Sequence, residues 1–324
     1  MFTLSLIFLL AGCGPSAAAA PAPPGLDMPQ PDRPTQRGMQ TVGRLWYRRR
    51  EDWEIVSGPD EDPLQSAWGG ADGTLWVAGW GSVWRYDGQT WTAEPSPAGR
   101  LHGLWGDGRG TIWVGGQNGR ICRRDPDGAW RAEETPPGTE GLAIFGIWGS
   151  GPDEIYAVAF GGWILRRRAD GVWIREDCPG FGSLRAVAGL GPGRVWVIAT
   201  EGRILARQSD GTWAVEHTLE GRLGAIWGHP QAGLYVVGSK GLVLHSTGDG
   251  QWTPQDSGVR KQLTHVGGAP GALYAAGLEC ALLHSTGDGT WQELMSNVSH
   301  QLGPVWVDAK GALRLLCGER FYVE

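Results

Sequence analysis

A tryptophan that follows an aspartate-containing turn recurs about every 40 residues along this chain. Successive members of the series are 38, 39, 43, 40, 39 and 39 residues apart. A fixed period in this range is typical of repeat proteins, in which each repeat is one supersecondary unit that packs against its neighbours. The series consists of Trp53, Trp91, Trp130, Trp173, Trp213, Trp252 and Trp291. The period constrains the fold more tightly than it constrains the function.

Each repeat divides into four short apolar segments. The clearest copy has them at residues 223–228, 234–238, 242–246 and 251–255, each rich in Val, Ile, Leu, Trp or Tyr and bounded by Gly, Asp, Ser or Pro. Such segments predict short strands joined by tight turns. No stretch after residue 40 carries a sustained helical apolar period, and the 54 Gly and 21 Pro suit an all-β chain that is full of turns.

Units of four strands and about 40 residues predict the blades of a β-propeller. Since the first and second strands can each be counted seven times, we predict an all-β, seven-bladed β-propeller of four-stranded blades over residues 41–324. In the last repeat we predict a second strand at residues 313–317 and a third strand at residues 320–323, with no fourth strand after them. An outer strand for this blade is available at residues 53–56. Pairing of N- and C-terminal strands would close the ring and leave no open sheet edge. Residues 44–47 are a further candidate third strand, whose place the sequence does not decide.

The turns before the tryptophans resemble the Asp-box of BNR-type propellers, whose pattern is Ser-x-Asp-x-Gly-x-Thr-Trp. Residues 246–252 and 285–291 carry Ser-Thr-Gly-Asp-Gly before the tryptophan, one residue shorter than the box. The resemblance implies a box between the third and fourth strands, in which Asp satisfies turn amides, Gly adopts a positive φ and Trp packs between sheets. The aspartates lack the acidic density of calcium loops, so we expect them to stabilise turns.

The first 13 residues resemble the signal peptide of a bacterial lipoprotein. A short apolar run is followed by Leu-Ala-Gly-Cys, a lipobox that ends at Cys13, although a basic n-region is absent. The resemblance implies that Cys13 is lipidated, and residues 14–40, rich in Ala and Pro, predict a disordered tether. We therefore expect a protein of the bacterial cell envelope that contacts the membrane through its lipid only. Gly14 would permit delivery to the outer membrane.

Composition excludes several classes of partner. A formal net charge of −6 argues against a nucleic-acid binder or a binder of anionic membranes. No Cys-x-x-Cys or His-rich spacing predicts a metal site, and no cofactor is expected. Cys280 and Cys317 both fall at a turn between second and third strands in neighbouring units. Because an exported protein meets an oxidising compartment, they are a candidate disulfide, the alternative being two half-buried thiols.

Cationic residues concentrate on the predicted ligand side of the propeller. There the loops between fourth and first strands share a face with the turns between second and third strands. An excess of cations in an acidic protein could receive an acidic partner, the alternative being a solvated rim. Two tryptophans on this face could stack on a sugar or a peptide side chain rather than only pack. The candidate partner-binding rim consists of Arg100, His102, Arg185, Arg222, Lys240, Lys261, Trp80 and Trp163.

Two functions are compatible with this pattern. The first is a monomeric, non-enzymatic binding or scaffold module for a protein or an envelope glycan, which the short, regular loops favour. The second, implied by the Asp-box resemblance, is a sialidase-like glycan-processing enzyme, which needs an arginine cluster and a tyrosine nucleophile with a glutamate partner. Arg100, Arg185 and Arg222 could supply the cluster, but tyrosines such as Tyr156 and Tyr235 occupy repeat-core positions. We predict the binding module.

Overall fold

The computed structural model describes residues 42–49, 52–60, 64–70, 72–95, 99–179, 182–294, 302–307, 311 and 313–317. Of residues 42–49 and 52–60 it describes the backbone only. All of them belong to one compact unit, Asp32–Glu324. Among the described residues, no helix has the length and apolar character needed to span a membrane.

Six four-stranded sheets are each made of four consecutive strands, and we call them blades I to VI. Blade I contains β3 (Leu64–Gly69), β4 (Leu75–Gly79), β5 (Val83–Tyr86) and β6 (Trp91–Glu94). Blade II contains β7 (Leu101–Gly106), β8 (Ile112–Gly116), β9 (Ile121–Arg124) and β10 (Trp130–Glu133). Blade III contains β11 (Ile144–Gly151), β12 (Glu154–Ala159), β13 (Trp163–Arg167) and β14 (Trp173–Glu176).

The other three blades repeat this order. Blade IV contains β15 (Leu184–Gly191), β16 (Arg194–Ala199), β17 (Arg203–Arg207) and β18 (Trp213–Thr218). Blade V contains β19 (Leu223–His229), β20 (Gly233–Gly238), β21 (Val243–Ser246) and β22 (Thr253–Gln255). Blade VI contains β23 (Leu263–Ala269), β24 (Ala272–Gly277), β25 (Leu282–Ser285) and β26 (Gln292–Glu293). Single 3-10 turns, Gln117–Gly119 and Ser239–Gly241, connect the second and third strands of blades II and V.

The remaining four-stranded sheet is a composite of both ends of the described chain. Its strand order is β2 (Asp52–Asp60), β1 (Val42–Arg49), β28 (Leu313–Cys317) and β27 (Val305–Val307). β1 pairs antiparallel with β28, from Arg44 opposite Cys317 to Tyr47 opposite Arg314. β27 lies between the first strands of blades VI and I.

This order corrects the predicted seven-bladed ring. Six blades, not seven, are built from consecutive strands, and the composite sheet takes two strands from each end rather than one from the N-terminal side and three from the C-terminal side. Residues 44–47 occupy the third-strand position, beside β28. That position had been predicted for residues 320–323, which lie outside the described residues. Both segments have the apolar pattern of a third strand. The position is occupied by residues 44–47, which belong to β1 and pair with the outer strand β2.

The core lies between neighbouring blades. Second strands such as β4 and β8 are buried along their whole length, because a sheet layer covers each of their faces. The turn aspartates satisfy backbone amides as predicted: Asp210 accepts from the Thr212 amide at 2.9 Å, and Asp288 accepts from the Thr290 amide at 2.9 Å.

A repeated polar contact ties adjacent blades together at their outer edges. Glu176 of β14 accepts a hydrogen bond from the indole of Trp213 in the next blade (2.8 Å) and pairs with Arg207 (3.1 Å). The residue three places after the turn tryptophan repeats this role in blades I, II, IV and V. We call the contact the inter-blade latch; its acceptors are Glu94, Glu133, Glu176, Glu216 and Gln255, and its indole donors are Trp130, Trp173, Trp213, Trp252 and Trp291.

Candidate functional site: a cavity on the propeller axis

Every blade from I to VI begins its first strand with the same local irregularity. A buried Leu or Ile opens the strand, and the next residue has no partner on the second strand, so the register shifts there by one residue. Such a β-bulge bends the strand and turns the extra side chain out of the regular pleat. The six bulge residues are Gln65, His102, Phe145, Arg185, Gly224 and Thr264.

All six bulge residues line one cavity, of about 420 Å³. We call it the axial cavity. First strands lie innermost in the ring, so their bulges meet around the axis. Indole rings of Trp68, Trp227 and Trp306 also line the wall. The volume falls within the range of about 300–1,000 Å³ that is usual for ligand pockets.

Blades II to IV give the cavity an aromatic and cationic side. The rings of His102 and Phe145 lie 5.5 Å apart between centroids, and the guanidinium carbon of Arg185 lies 6.0 Å from the Phe145 centroid. The next two blades contribute smaller bulge residues, Gly224 and Thr264, together with Trp227 and His265. A Cβ atom at Gly224 would collide with the carbonyl oxygen of Leu263, so glycine is required there.

Positive charge in the axial cavity is not neutralised by any described side chain. Arg185 forms no ion pair with a described residue, and burial together with the charge of Arg222 lowers its pKa. Burial, with Arg100 and Arg185, lowers the pKa of His102. Burial, with Arg185, lowers the pKa of His265 to about 3. Two imidazoles are thus held neutral near a guanidinium at neutral pH.

The described lining of the axial cavity contains no Asp, Glu or Tyr. The tyrosine and glutamate of the sialidase-like alternative are therefore not brought together there within the described part of the chain. Tyr156 instead is fully buried on β12 and donates a hydrogen bond from its hydroxyl to Glu154 (2.9 Å). The cavity can offer hydrogen-bond donors and charge to an anion, but these residues do not form a nucleophile with a matched acid.

The structure places the predicted rim residues on one face. The amide of Gln117, in a turn between second and third strands, donates to the carbonyl of Arg100, which precedes a first strand (3.0 Å). The amide of Ser239 donates in the same way to Arg222 (2.9 Å), and that of Gly241 to Lys261 (2.7 Å). Loops and turns therefore share this face, which we call the rim face.

The rim residues differ in how available they are. Lys261 pairs with Glu293 at 2.7 Å, so its charge is neutralised. Arg100 lies 3.5 Å over the ring of Trp80, which remains 41% exposed. Arg175 covers half-buried Trp163 at 3.9 Å. Both tryptophans thus already have one ring face occupied by a guanidinium.

Lys240 and Arg222 are exposed and form no ion pair with a described residue. Lys240 sits at a positive φ of 58° in its turn, which holds its backbone out on the rim face. Arg100 and Arg185, which are also exposed, likewise form no ion pair with a described residue.

Sequence reasoning missed Gln65, Phe145 and Thr264 in the cavity and Phe160 on the rim face, whose side chain is 57% exposed. A signal for the bulge residues was present. The aliphatic residue before the bulge recurs in every blade, whereas the bulge residue itself changes each time. The packing between blades therefore fixes the residue before the bulge and does not fix the bulge residue itself.

The cysteine predictions remain predictions. Cys13 lies outside the described residues. Cys280 lies in the turn between β24 and β25 with a φ of 58°, and Cys317 ends β28, but the side chain of Cys317 is outside the described part. Within the described residues, no group of three or more His, Cys, Asp or Glu side chains is placed to hold a metal ion.

Comparison with solved structures shows the fold class. Virginiamycin B lyase from Staphylococcus aureus superposes with a TM-score of 0.68 at 13% identity, covering 79% of this chain and 95% of the lyase. A streptogramin B lyase superposes with a TM-score of 0.69 at 16% identity, covering 86% and 98%. YCF48 bound to D1 peptide superposes with a TM-score of 0.64 at 18% identity, covering 81% and 96%. No family and no curated protein matches the sequence.

These neighbours establish a β-propeller and nothing more specific. Two of them are lyases by name and one is bound to a peptide, so the architecture serves both catalysis and binding. The function of this chain has to be argued from its own site.

Proposed function

We propose that the protein is a non-enzymatic binding module of the bacterial cell envelope, anchored by a lipid on Cys13, and that it captures an acidic partner protein on its rim face. The observation that carries this proposal is the set of six bulges, which places six different residues around the axial cavity. Bulges interrupt ladder hydrogen bonds and are retained where they re-aim side chains. Their recurrence with changing side chains supports contact with a ligand.

Charge indicates the kind of partner. The chain as a whole is acidic, with a formal net charge of −6, yet Arg100, Arg185, Arg222 and Lys240 share the rim face and its cavity. A local cationic surface on an acidic protein favours a partner with carboxylates and raises the rate of association with it. Arginines cover one ring face of Trp80 and of Trp163, the two tryptophans predicted to stack on a sugar, which favours a protein partner over an envelope glycan.

Site-specific photo-crosslinking tests which face binds. A photoreactive phenylalanine analogue at Phe160 lies on the rim face, and the same analogue at Val172 is its matched control. Val172 is 49% exposed and follows β13 at the opposite end from Phe160, so it reports on the opposite face. We expect a discrete protein adduct in intact cells from position 160 and none from position 172. Adducts from position 172 alone would overturn the proposal.

Fractionation tests the anchor separately. Cys13→Ser removes the thiol that would carry the lipid, so the variant should leave the membrane fraction and appear in the soluble envelope fraction. A variant that stays with the membrane would refute lipidation at Cys13. Activity assays with streptogramin B and sialoside substrates complete the test, because turnover that is lost on Arg185→Gln would support an enzyme instead.

A further inference from the structure

We propose that the axial cavity is a carboxylate-binding pocket anchored by Arg185, into which the partner inserts one carboxylate. This inference rests on the proposed function and adds the chemistry of the bound group. Exposed cations on the rim attract the partner, and Arg185 holds it.

Arg185 is set apart from the other cations by its surroundings. It stands on a bulge inside the cavity, where it has no described acidic partner and where Arg222 repels it. Its guanidinium carbon lies 6.0 Å from the centroid of the Phe145 ring. A guanidinium offers a planar fork of donors that matches a carboxylate in two parallel hydrogen bonds. The residue therefore has unused donors and an unfavourable charge, both of which a bound carboxylate would correct.

The two blades after Arg185 contribute small bulge residues to the axial cavity. Gly224 has no side chain, and Thr264 is the next bulge residue around the axis. The Thr264 hydroxyl lies 3.0 Å from Nδ1 of His265, which fixes the position of that imidazole in the wall. A ligand chain entering beside Gly224 would meet Arg185 without displacing a large side chain.

His102 is a built-in reporter of occupancy. Its pKa is lowered by burial and by the charges of Arg100 and Arg185. A carboxylate paired with Arg185 would offset that field, so binding should make His102 easier to protonate. A neutral ligand in the same place would add burial without adding negative charge, and it should not have this effect.

The experiment is an NMR titration of the full chain labelled with ¹³C-histidine, with the His102 signal assigned from the spectrum of His102→Gln. Four probes separate the sources of the carboxylate. N-acetyl-Gly-Phe carries it at the chain end, and its amide is the control. N-acetyl-Asp-Phe-amide carries it on a side chain, and N-acetyl-Asn-Phe-amide is the control.

We expect at least one acidic probe to raise the midpoint of the His102 titration by about 0.5 pH or more, and both amides to leave it unchanged. The acidic probe that acts identifies the source. Arg185→Gln should abolish the probe-induced change, measured against its own unliganded titration, whereas Arg222→Gln should keep it. An equal response to acids and amides, or a response that survives in Arg185→Gln, overturns the pocket.

A second variant keeps the test valid if Arg185→Gln does not fold. Arg185→Lys retains the charge but loses the fork, so the acidic probe should bind about 10-fold more weakly. If the probes bind but position 160 gives no crosslinks, the carboxylate pocket is supported and the proposed protein partner is refuted.

If crosslinks from position 160 persist in Arg185→Gln and no probe changes the His102 titration, the pocket is refuted and the proposed binding function is supported.

Discussion

The outer edge and the axis of this propeller use its repeat in opposite ways. At the outer edge one position, three residues after the turn tryptophan, carries Glu in four blades, and each Glu receives the same indole hydrogen bond from the next blade. At the axis one position, the bulge after the buried aliphatic residue, carries a different side chain in every blade. Where geometry and residue repeat together, the residue maintains the fold. Where geometry repeats and the residue changes, the fold does not fix the residue, and we propose that a partner does.

The inter-blade latch is missing at a boundary between sheets in the described part of the chain. The indole nitrogen of Trp91, in blade I, is buried and has no hydrogen-bond partner among the described residues. Three residues after Trp53 the sequence has Val56, and three residues after Trp291 it has Leu294, where the other five repeats have Glu or Gln. The repeat thus loses its polar acceptor at blade VI and at the composite sheet, where the two ends of the described chain pair.

The largest effect should follow from removing a latch acceptor. The Glu176 side chain is only 9% exposed. Glu176→Ala removes the carboxylate that Arg207, Arg166 and the Trp213 indole share. Uncompensated buried charges of this kind cost about 3 kcal/mol or more. Urea unfolding should show that loss, while exposed Glu220→Ala stays within about 0.5 kcal/mol of the parent protein. A loss below about 1 kcal/mol for Glu176→Ala would mean that the latch does not stabilise the ring.

A matched pair of tryptophans sharpens the contrast between latched and unlatched blades. Trp213→Phe removes a 2.8 Å hydrogen bond and leaves the Glu176 carboxylate short of a donor. Trp91→Phe removes a buried donor that has no described partner. Trp213→Phe should therefore destabilise the protein by about 1–2 kcal/mol more than Trp91→Phe, as measured by urea unfolding. Equal losses would show that ring packing alone matters at both positions.

A smaller effect should appear in the pH dependence of stability. His265 has a pKa of about 3 in the folded protein, against an ordinary value of 6.5. Between those values the unfolded chain binds the proton and the folded protein does not, so stability falls as the pH drops from about 6.5 towards 3. His265→Gln should remove on the order of 1 kcal/mol of the loss seen between pH 7 and pH 5. Thermal unfolding curves with identical pH slopes for the two proteins would contradict this origin.

The sequence predicted the propeller and its four-stranded blades because the strand and turn signals repeat seven times, and repetition averages out local ambiguity. It did not predict how the ends combine. Residues 44–47 and 320–323 both have the apolar pattern of a third strand, and only long-range pairing with β28 distinguishes them. Local pattern carries no information about that choice.

The site was predicted in part for a similar reason. Arg185 and His102 stood out because they are polar, whereas Phe145 and Thr264 are residues that any strand accepts. What unites the four is the bulge, which an alternating pattern of apolar residues does not reveal. Lys261 was included by charge alone, and its pairing with Glu293 depends on strand register that the sequence leaves open.

The most direct test of the account measures unfolding and capture together in Arg185→Gln. We expect its free energy of unfolding to stay within about 0.5 kcal/mol of the parent protein, or to rise slightly, because Arg185 is exposed in the cavity, lacks an acidic partner among the described residues and is repelled by Arg222. Its crosslinking yield from position 160 should fall at least about 10-fold, as expected for the loss of a charge-assisted anchor. The account holds that the outer edge stabilises the fold and that the axial cavity binds the partner. A variant that crosslinks like the parent protein, or whose crosslinking yield falls only because it unfolds, would contradict it.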